Sequence, residues 1–216
     1  MGKGDSILLK SHVSEYSCYS DLAAREEEGV DYEVRCIEAD RDVLIMAPHG
    51  GGIEPGTSEI ARAVAHPECS YYGFEGLKPS GNSVLHITSV RFDEPIARRI
   101  VTAHSVIVTF HGCTGRVPTV FMGGLHADLM ETMSRGLHKE GFETGLREDI
   151  MGNHAGNLCN RGTTGLGVQL ELTWGLRRLM FRDLTRAGRH EPTRVFESFV
   201  AALKSAIAEH RLLSHT

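Results

Sequence analysis

Apolar residues recur along the chain in short runs of strand length, each followed by glycine or polar residues. Four runs fit this description: "VLIMA" (43–47), "SVLHITS" (83–89), "SVIVTFHG" (105–112) and "GVQLEL" (167–172). Continuous aliphatic runs are typical of central, mostly parallel strands that are covered on both faces. The pattern therefore predicts four strands of a mostly parallel sheet.

Helical patterns lie between and after these runs. One begins around Gly56–Ser58 and continues through "EIARAVA". Another begins at Asp93, a good N-cap, with Pro95 in its first turn. A third covers residues 125–141. The last, "RVFESFVAALKSAIAEH", places six apolar side chains on one stripe: Val195, Phe196, Phe199, Val200, Leu203 and Ile207.

Strands that alternate with helices of this length predict an α/β fold, with helices on both faces of a mixed, mostly parallel sheet. At 216 residues the chain has ample length for a core, and we predict a single domain over residues 1–216. Its 41% hydrophobic and 24% charged residues are typical of soluble globular proteins.

The formal net charge of -5 is unevenly distributed. Residues 1–42 hold 11 acids and 5 bases, whereas the rest of the chain holds 17 acids and 18 bases. A nucleic-acid-binding surface would need a stripe of basic residues, which this balance does not favour. We therefore expect no nucleic-acid partner, while the near-neutral remainder of the chain is compatible with an anionic ligand.

The cysteines and the lengths of the apolar runs indicate where in the cell the protein is expected. Five cysteines, an odd number, form no CxxC pair, so we interpret them as reduced thiols in a cytoplasmic protein. No apolar run approaches the roughly 18 residues that a membrane helix needs. The N-terminal stretch "MGKGDSILLKSHVSEYS" has only "ILL" as an apolar run, so we expect neither a signal peptide nor a membrane partner.

The stretch "VLIMAPHGGGIEPGTSEIARAVA" (43–65) joins the first predicted strand to a helix through a glycine-rich loop. A phosphate-binding loop would need GxxxxGK[ST] or GxGxxG, and the carboxylate of Glu54 would repel a phosphate. A second interpretation is a tight turn, in which His49 is a hydrogen-bonded polar residue at a strand end. A third is a metal site. Ligands of α/β sheets bind beyond the carboxyl ends of the strands, and both His49 and His111 fall there.

His49, Glu54 and His111 together form a His/Glu/His set. Three protein ligands with an open fourth position are the pattern of catalytic zinc. Glycines would let the loop fold tightly enough for His49 and Glu54 to face one ion. From the residues alone, the turn and the metal site both remain open.

Five motifs resemble those of a known family: "APHGGGIEPGTSEIA", "LHITSVRFDEP", "TFHG", "NRG" and "GVQLELTWGLR". Over about residues 16–203, the chain resembles the phage-type poly-γ-glutamate hydrolases, which also occur as bacterial proteins labelled phage-related replication proteins. The resemblance implies a zinc-carboxypeptidase-like fold and one Zn²⁺ per chain, held by His49, Glu54 and His111. A phage origin would imply release from the cytoplasm by lysis.

Gln169 and Glu171 alternate with apolar residues in "GVQLEL", so on a strand they share a face. From the residues alone, Glu171 is either a solvent-facing strand residue or a catalytic one. The family and its carboxypeptidase relatives have a glutamate near this point as general acid/base, and Glu171 matches it. In that role the residue takes a proton from activated water and returns it to the leaving amine.

Poly-γ-glutamate exposes a carboxylate on every residue, so the resemblance implies guanidinium groups that bind substrate. Arg161 is the first candidate, with Asn160 beside it, because zinc carboxypeptidases bind a substrate carboxylate with an Asn–Arg pair. Arg91 and Arg116 each follow a motif and are further candidates, although any of these arginines could instead form a surface ion pair. His86, within "LHITS", is either a packed strand residue or part of the substrate cleft.

The predicted function is zinc-dependent hydrolysis of γ-glutamyl amide bonds in poly-γ-glutamate or a related acidic substrate. One alternative is a metal-dependent amidohydrolase that acts on a small N-acyl or γ-glutamyl amino acid. A second is a non-catalytic binding protein on the same fold. The presence of all three ligand candidates together with Glu171 favours an enzyme over a binding protein.

Overall fold

The computed structural model of the protein describes residues 15–39 and 42–214. Its centre is one seven-stranded sheet with the order β1-β3-β2-β4-β7-β5-β6. The strands are β1 (Tyr32–Ile37), β2 (Val43–Gly51), β3 (Ser70–Gly76), β4 (Val106–Cys113), β5 (Val120–Gly124), β6 (Thr144–Gly145) and β7 (Gly167–Thr173). Most of the N-terminal stretch on which the signal-peptide prediction depends lies outside the described residues.

The middle of the sheet is parallel. Strand β2 pairs in parallel with β3 and β4, and β4 pairs in parallel with β7. Strands β1 and β5 run antiparallel to β3 and β7, respectively. Strands β2 and β7 are buried along their whole lengths, which explains why their sequences read as continuous aliphatic runs. The predicted mixed, mostly parallel sheet is confirmed.

Helices cover both faces of the sheet, as predicted. Within the described ranges the α-helices are α1 (Tyr19–Ala23), α2 (Thr57–Ala65), α3 (Pro95–Val101), α4 (Ala127–Lys139), α5 (Trp174–Met180) and α6 (Arg194–Ser214). Successive residues of β2 point to opposite faces, so Ile45 joins the core under α2, α4 and α6, whereas Leu44 joins the core with α3. None of these described helices is long and apolar enough to cross a membrane.

Helix α3 is capped by Glu94 rather than by Asp93, so the predicted cap was wrong by one residue. The Glu94 carboxylate accepts hydrogen bonds from the backbone N–H groups two and three positions further on, at 2.9 and 2.7 Å. Asp93 instead accepts a hydrogen bond from the backbone N–H of Tyr19 at 2.6 Å. Pro95 occupies the first turn, as expected.

The strand predicted over residues 83–89 was also wrong. Asn82–Leu85 forms a 3-10 helix, and the residues that follow pair with no strand of the described sheet. Leu85 and Ile87 are both fully buried, and this alternation imitates that of a strand. The carbonyl of Ile87, however, bonds to a histidine side chain instead of a neighbouring strand. Residues 86–89 therefore lie against the sheet as a separate segment, and His86 is not a mid-strand residue.

Candidate metal centre and active site

The loop after β2 brings His49 and Glu54 to the same side of the sheet edge. The pairing register of β2 with β3 shifts between Ala47 and Gly50, a local irregularity that re-aims the strand around His49. The backbone N–H of Glu54 then donates to the carbonyl of His49 at 2.9 Å, which closes the loop. Gly51 adopts φ +62°, and a Cβ there would lie 2.5 Å from the carbonyl oxygen of Gly76. Only glycine fits this position without strain.

Three potential ligand atoms converge at the carboxyl edge of the sheet. The Nδ1 atoms of His49 and His111 lie 3.1 Å apart. The carboxylate of Glu54 places Oε1 3.2 Å from Nδ1 of His49, and Oε2 3.7 Å from Nδ1 of His111. All three side chains are buried. Among the described residues, this is the one group of three or more His, Cys, Asp or Glu side chains with the spacing of a metal site.

The segment after the 3-10 helix orients both imidazoles. Nε2 of His49 donates to the backbone carbonyl of Ile87 at 2.7 Å. Because a carbonyl only accepts, this bond places a proton on Nε2 of His49, so Nδ1 is the ring nitrogen that faces the cluster. Nε2 of His111 lies 3.4 Å from the hydroxyl of Ser89. Second partners of this kind commonly fix the orientation of metal-binding histidines.

The donor set fits a divalent metal ion. Burial alone would raise the pKa of Glu54, but the charges of His49 and His111 and a hydrogen bond from His49 hold it at about 2. Burial lowers the pKa of His111 to about 4, although Glu54 opposes this shift. Glu54 is therefore ionised and His111 neutral at pH 7, the protonation states that a metal requires. Two imidazole nitrogens and a carboxylate within 3.1–3.7 Å of one another are a donor set of the kind that binds a divalent cation.

Glu171 lies beside this cluster. It is the register partner of His111 on the adjacent parallel strand, so the two side chains project from the same face. The residue is only 8% exposed, and its Oε1 accepts a hydrogen bond from Nε2 of Gln169 at 3.1 Å. Burial raises the pKa of Glu171 well above its ordinary value, and the negative charge of Glu54 raises it further. A carboxyl group with a raised pKa can both accept and donate a proton near neutral pH.

Arg161 and Asn160, predicted to bind substrate, bond extensively to the protein's own backbone. Arg161 donates to four carbonyls, those of Gly156, Phe92, Ser89 and Val90, at 2.6–3.1 Å. The amide nitrogen of Asn160 donates to the carbonyls of Gly152 and His154 at 2.8 and 3.0 Å. Through these contacts Arg161 holds in place residues 89–92, which adjoin the segment that orients the histidines. Substrate binding by this pair stays a prediction.

The other substrate candidates lie around the edge of the cluster. The ring of His86 stacks at 4.0 Å from that of His49, and its Nε2 lies 3.9 Å from Oε1 of Glu54. Arg91 and Arg116 are exposed on the turn after Ser89 and on the loop after β4, respectively. Their roles in substrate binding stay predictions as well.

Arg177, a buried arginine behind the cluster, was not predicted from the sequence. Its guanidinium donates to the carbonyls of Pro55, Cys113 and Leu172 at 2.7, 3.2 and 3.2 Å. Each of these carbonyls lies within two residues of Glu54, His111 or Glu171, so one side chain ties together the three segments that bear them. Arg177 does occur in the motif "LTWGLR", but nothing there distinguishes it from the exposed Arg178.

This sheet, with a buried His/Glu/His cluster and a glutamate at its carboxyl edge, defines an α/β protein with a candidate hydrolytic metal centre. Comparison with known proteins identifies the family. The chain belongs to the Poly-gamma-glutamate hydrolase family, which it matches over residues 16–202. The family prediction is confirmed, and the protein is a hydrolase of this family.

Two solved structures are similar over nearly the whole chain. A bacteriophage poly-gamma-glutamate hydrolase superposes with a TM-score of 0.90 and 34% identity, covering 93% of this chain and 99% of that one. A structure described as zinc-free apo YndL gives a TM-score of 0.87 and 33% identity, covering 90% and 98% of the two chains.

Two curated relatives come from Bacillus subtilis strain 168. The SPbeta prophage-derived protein YoqZ is 36% identical over 202 residues, covering 92% of this chain and 73% of that protein. The protein YmaC is 38% identical over 197 residues, covering 89% and 83%. The similarity therefore extends across the sheet, the cluster and the strand that bears Glu171.

Proposed function

We propose that this protein is a zinc-dependent hydrolase that cleaves γ-glutamyl amide bonds of poly-γ-glutamate or a related acidic substrate. The observation that supports this proposal is the buried cluster of His49, Glu54 and His111 beside the carboxyl group of Glu171. The family, and the similarity to a bacteriophage poly-gamma-glutamate hydrolase at 34% identity, suggest the substrate class.

His49, Glu54 and His111 would hold one metal ion through two imidazole nitrogens and a carboxylate. Two nitrogen donors and one oxygen donor, with a fourth position open, suit Zn²⁺ better than the oxygen-preferring Mg²⁺ or Ca²⁺. When bound, such an ion supplies a Lewis acid that polarises the scissile carbonyl and lowers the pKa of water. Ile87 and Ser89 keep the imidazoles aimed at the site.

Glu171 would act as the general base and then as the general acid. As a carboxylate it takes a proton from the attacking water while the new C–O bond forms at the amide carbon. It then returns that proton to the amide nitrogen as the C–N bond breaks, so the products are a carboxylic acid and an amine, which exchange the remaining proton to give a carboxylate and an ammonium group. Gln169 holds Oε1 of Glu171 by a hydrogen bond, which leaves Oε2 for the reacting water.

The test combines metal analysis with hydrolysis of purified poly-γ-glutamate. We expect about one zinc per chain and release of γ-glutamyl products by the wild type. The variant Glu171→Gln should keep its zinc and lose activity by a factor of about 10² or more. Glu143→Gln, at an exposed position before β6, is the matched control and should retain full activity.

Three outcomes would contradict the proposal in different ways. Metal-replete protein without zinc would exclude the metal centre. Full activity in Glu171→Gln would remove the acid/base role from that residue. Hydrolysis of short γ-glutamyl amides without hydrolysis of the polymer would instead indicate a small-molecule amidohydrolase.

A further inference from the structure

A row of side chains leads away from the metal-ligand cluster across one face of the sheet. His111 on β4, Glu171 on β7 and Phe121 on β5 are successive register partners, so their side chains project from the same face. The next partner is Gly145 on β6, which has no side chain. A Cβ added to Gly145 would make an ordinary van der Waals contact with the Phe121 ring, at 3.5 Å, so the ring lies beside this strand.

Arg147 continues this row. It lies two residues beyond Gly145 in extended backbone, with φ -143° and ψ 113°, and therefore projects from the same face. Its guanidinium lies over the Phe121 ring, 5.6 Å from the ring centroid. The pKa of Glu171 is raised by burial and by Glu54, and the positive charge of Arg147 opposes that rise. Arg147 is thus a cation at the far end of the row that begins at the metal-ligand cluster.

The guanidinium of Arg147 already binds a carboxylate. Its Nε and Nη2 atoms donate to the two carboxylate oxygens of Asp149, each at 2.8 Å. This is the paired geometry with which arginine recognises carboxylates. The Asp149 side chain is 60% exposed, and exposed ion pairs contribute little to stability, so another carboxylate can replace it at small cost. Arg161 differs, because its donors are bound to four backbone carbonyls.

We propose that Arg147 binds the α-carboxylate of a substrate residue in place of Asp149, with the substrate chain extending along this row of side chains from Arg147 to the metal centre. This inference rests on the proposed function and assigns the carboxylate recognition that an acidic γ-glutamyl substrate requires. Three strand spacings separate β4 from β6, roughly 14 Å at the backbone. A γ-linked glutamate unit extends roughly 6 Å, so the row accommodates about two units.

Steady-state kinetics on poly-γ-glutamate, with wild type, Arg147→Gln and Asp149→Asn, test this assignment. Loss of a charge-assisted, paired contact should raise the KM of Arg147→Gln about tenfold or more. Its zinc content should be unchanged, because the metal ligands are intact, and its kcat should change less than its KM. Asp149→Asn removes the competing carboxylate and should lower KM by up to about fivefold. Arg135→Gln, which breaks a similar exposed pair with Glu209 on the α4–α6 side, is the control.

A second measurement identifies the group that is recognised. Glu171→Gln protein should bind poly-γ-glutamate more tightly than its α-methyl ester, and adding Arg147→Gln should abolish that preference. If the wild type hydrolyses the polymer and Arg147→Gln keeps both its KM and the preference for the free acid, this inference is overturned while the proposed function stands. If the wild type hydrolyses no polymer at all, the proposed function fails first.

Discussion

The Nδ1 atoms of His49 and His111 lie 3.1 Å apart, and both point into a buried site that also holds a carboxylate of Glu54. The two histidines end neighbouring parallel strands, which is why residues 62 positions apart in sequence meet. Nε2 of His49 donates to the carbonyl of Ile87, and this bond keeps Nδ1 of His49 aimed at the site. This arrangement favours a cation between the two rings.

Zinc should therefore stabilise the folded protein through this pair. At a free zinc concentration of 100 times Kd, the expected gain in unfolding free energy is about 2.7 kcal/mol. For a chain of this length that gain corresponds to a rise in Tm of roughly 5–10 °C. Thermal unfolding with and without zinc measures it. His111→Asn should abolish the rise, whereas His138→Asn, an exposed histidine on α4, should preserve it. An equal zinc response in both variants would place the metal elsewhere.

The metal-free protein should lose stability in acid because of His111. Its folded pKa of about 4 lies below the ordinary value of 6.5, so between these values the unfolded state binds more protons. The free energy of unfolding should fall as pH drops through this window, by roughly 3 kcal/mol for this group. Urea unfolding in chelator at pH 7 and pH 4.5 should show a smaller pH effect in His111→Asn than in wild type. If the unfolding free energy changed equally in the two proteins between pH 7 and pH 4.5, His111 would not be the cause.

The strand ends were predictable from sequence, whereas the surroundings of the site were not. His49 and His111 follow continuous aliphatic runs, and the ends of central parallel strands in α/β sheets meet at one edge. Strands β1, β3, β5 and β6 were missed, because β1 and β3 mix polar residues or glycine with apolar ones, and β5 and β6 are only five and two residues long. Residues 83–89 were misread, because the alternating burial of Leu85 and Ile87 also occurs without strand pairing.

Long-range contacts account for the rest of the difference. Arg161 follows His111 in sequence by 50 positions, yet it bonds to carbonyls of residues 89, 90 and 92, which no local pattern reveals. Arg147 lies in a stretch with no motif, and it becomes informative only once β6 is seen to lie beside β5. A side chain that bonds to distant backbone carbonyls does not change the pattern of apolar and polar residues, so the sequence does not predict its role.

Arg177 should be essential for the geometry of the metal centre without contacting substrate. Replacing it by methionine removes three hydrogen bonds to buried carbonyls, which should cost about 2–4 kcal/mol of unfolding free energy. Without these hydrogen bonds, the segments around Glu54 and Glu171 are no longer held in position. Zinc affinity should therefore fall by about 10–100-fold. Urea unfolding and competition with a zinc chelator measure the two effects. Arg178→Met, at the exposed neighbouring position, is the control. Unchanged zinc affinity in Arg177→Met would limit its role to stability.

Gly51 and Gly81 distinguish two reasons why a position requires glycine: a positive φ, and a lack of space for a Cβ atom. Both have positive φ, at +62° and +74°, so alanine at either position should cost about 1–2 kcal/mol from backbone strain. At Gly81 nothing lies within 4 Å of an added Cβ, whereas at Gly51 that atom would lie 2.5 Å from the Gly76 carbonyl oxygen. Gly51→Ala should therefore cost about 1–3 kcal/mol more, because β2 must separate from β3. It should also weaken zinc binding, since Gly51 lies between His49 and Glu54. Equal losses of unfolding free energy in the two variants, with zinc affinity retained in both, would show that the close approach to Gly76 does not shape the metal loop.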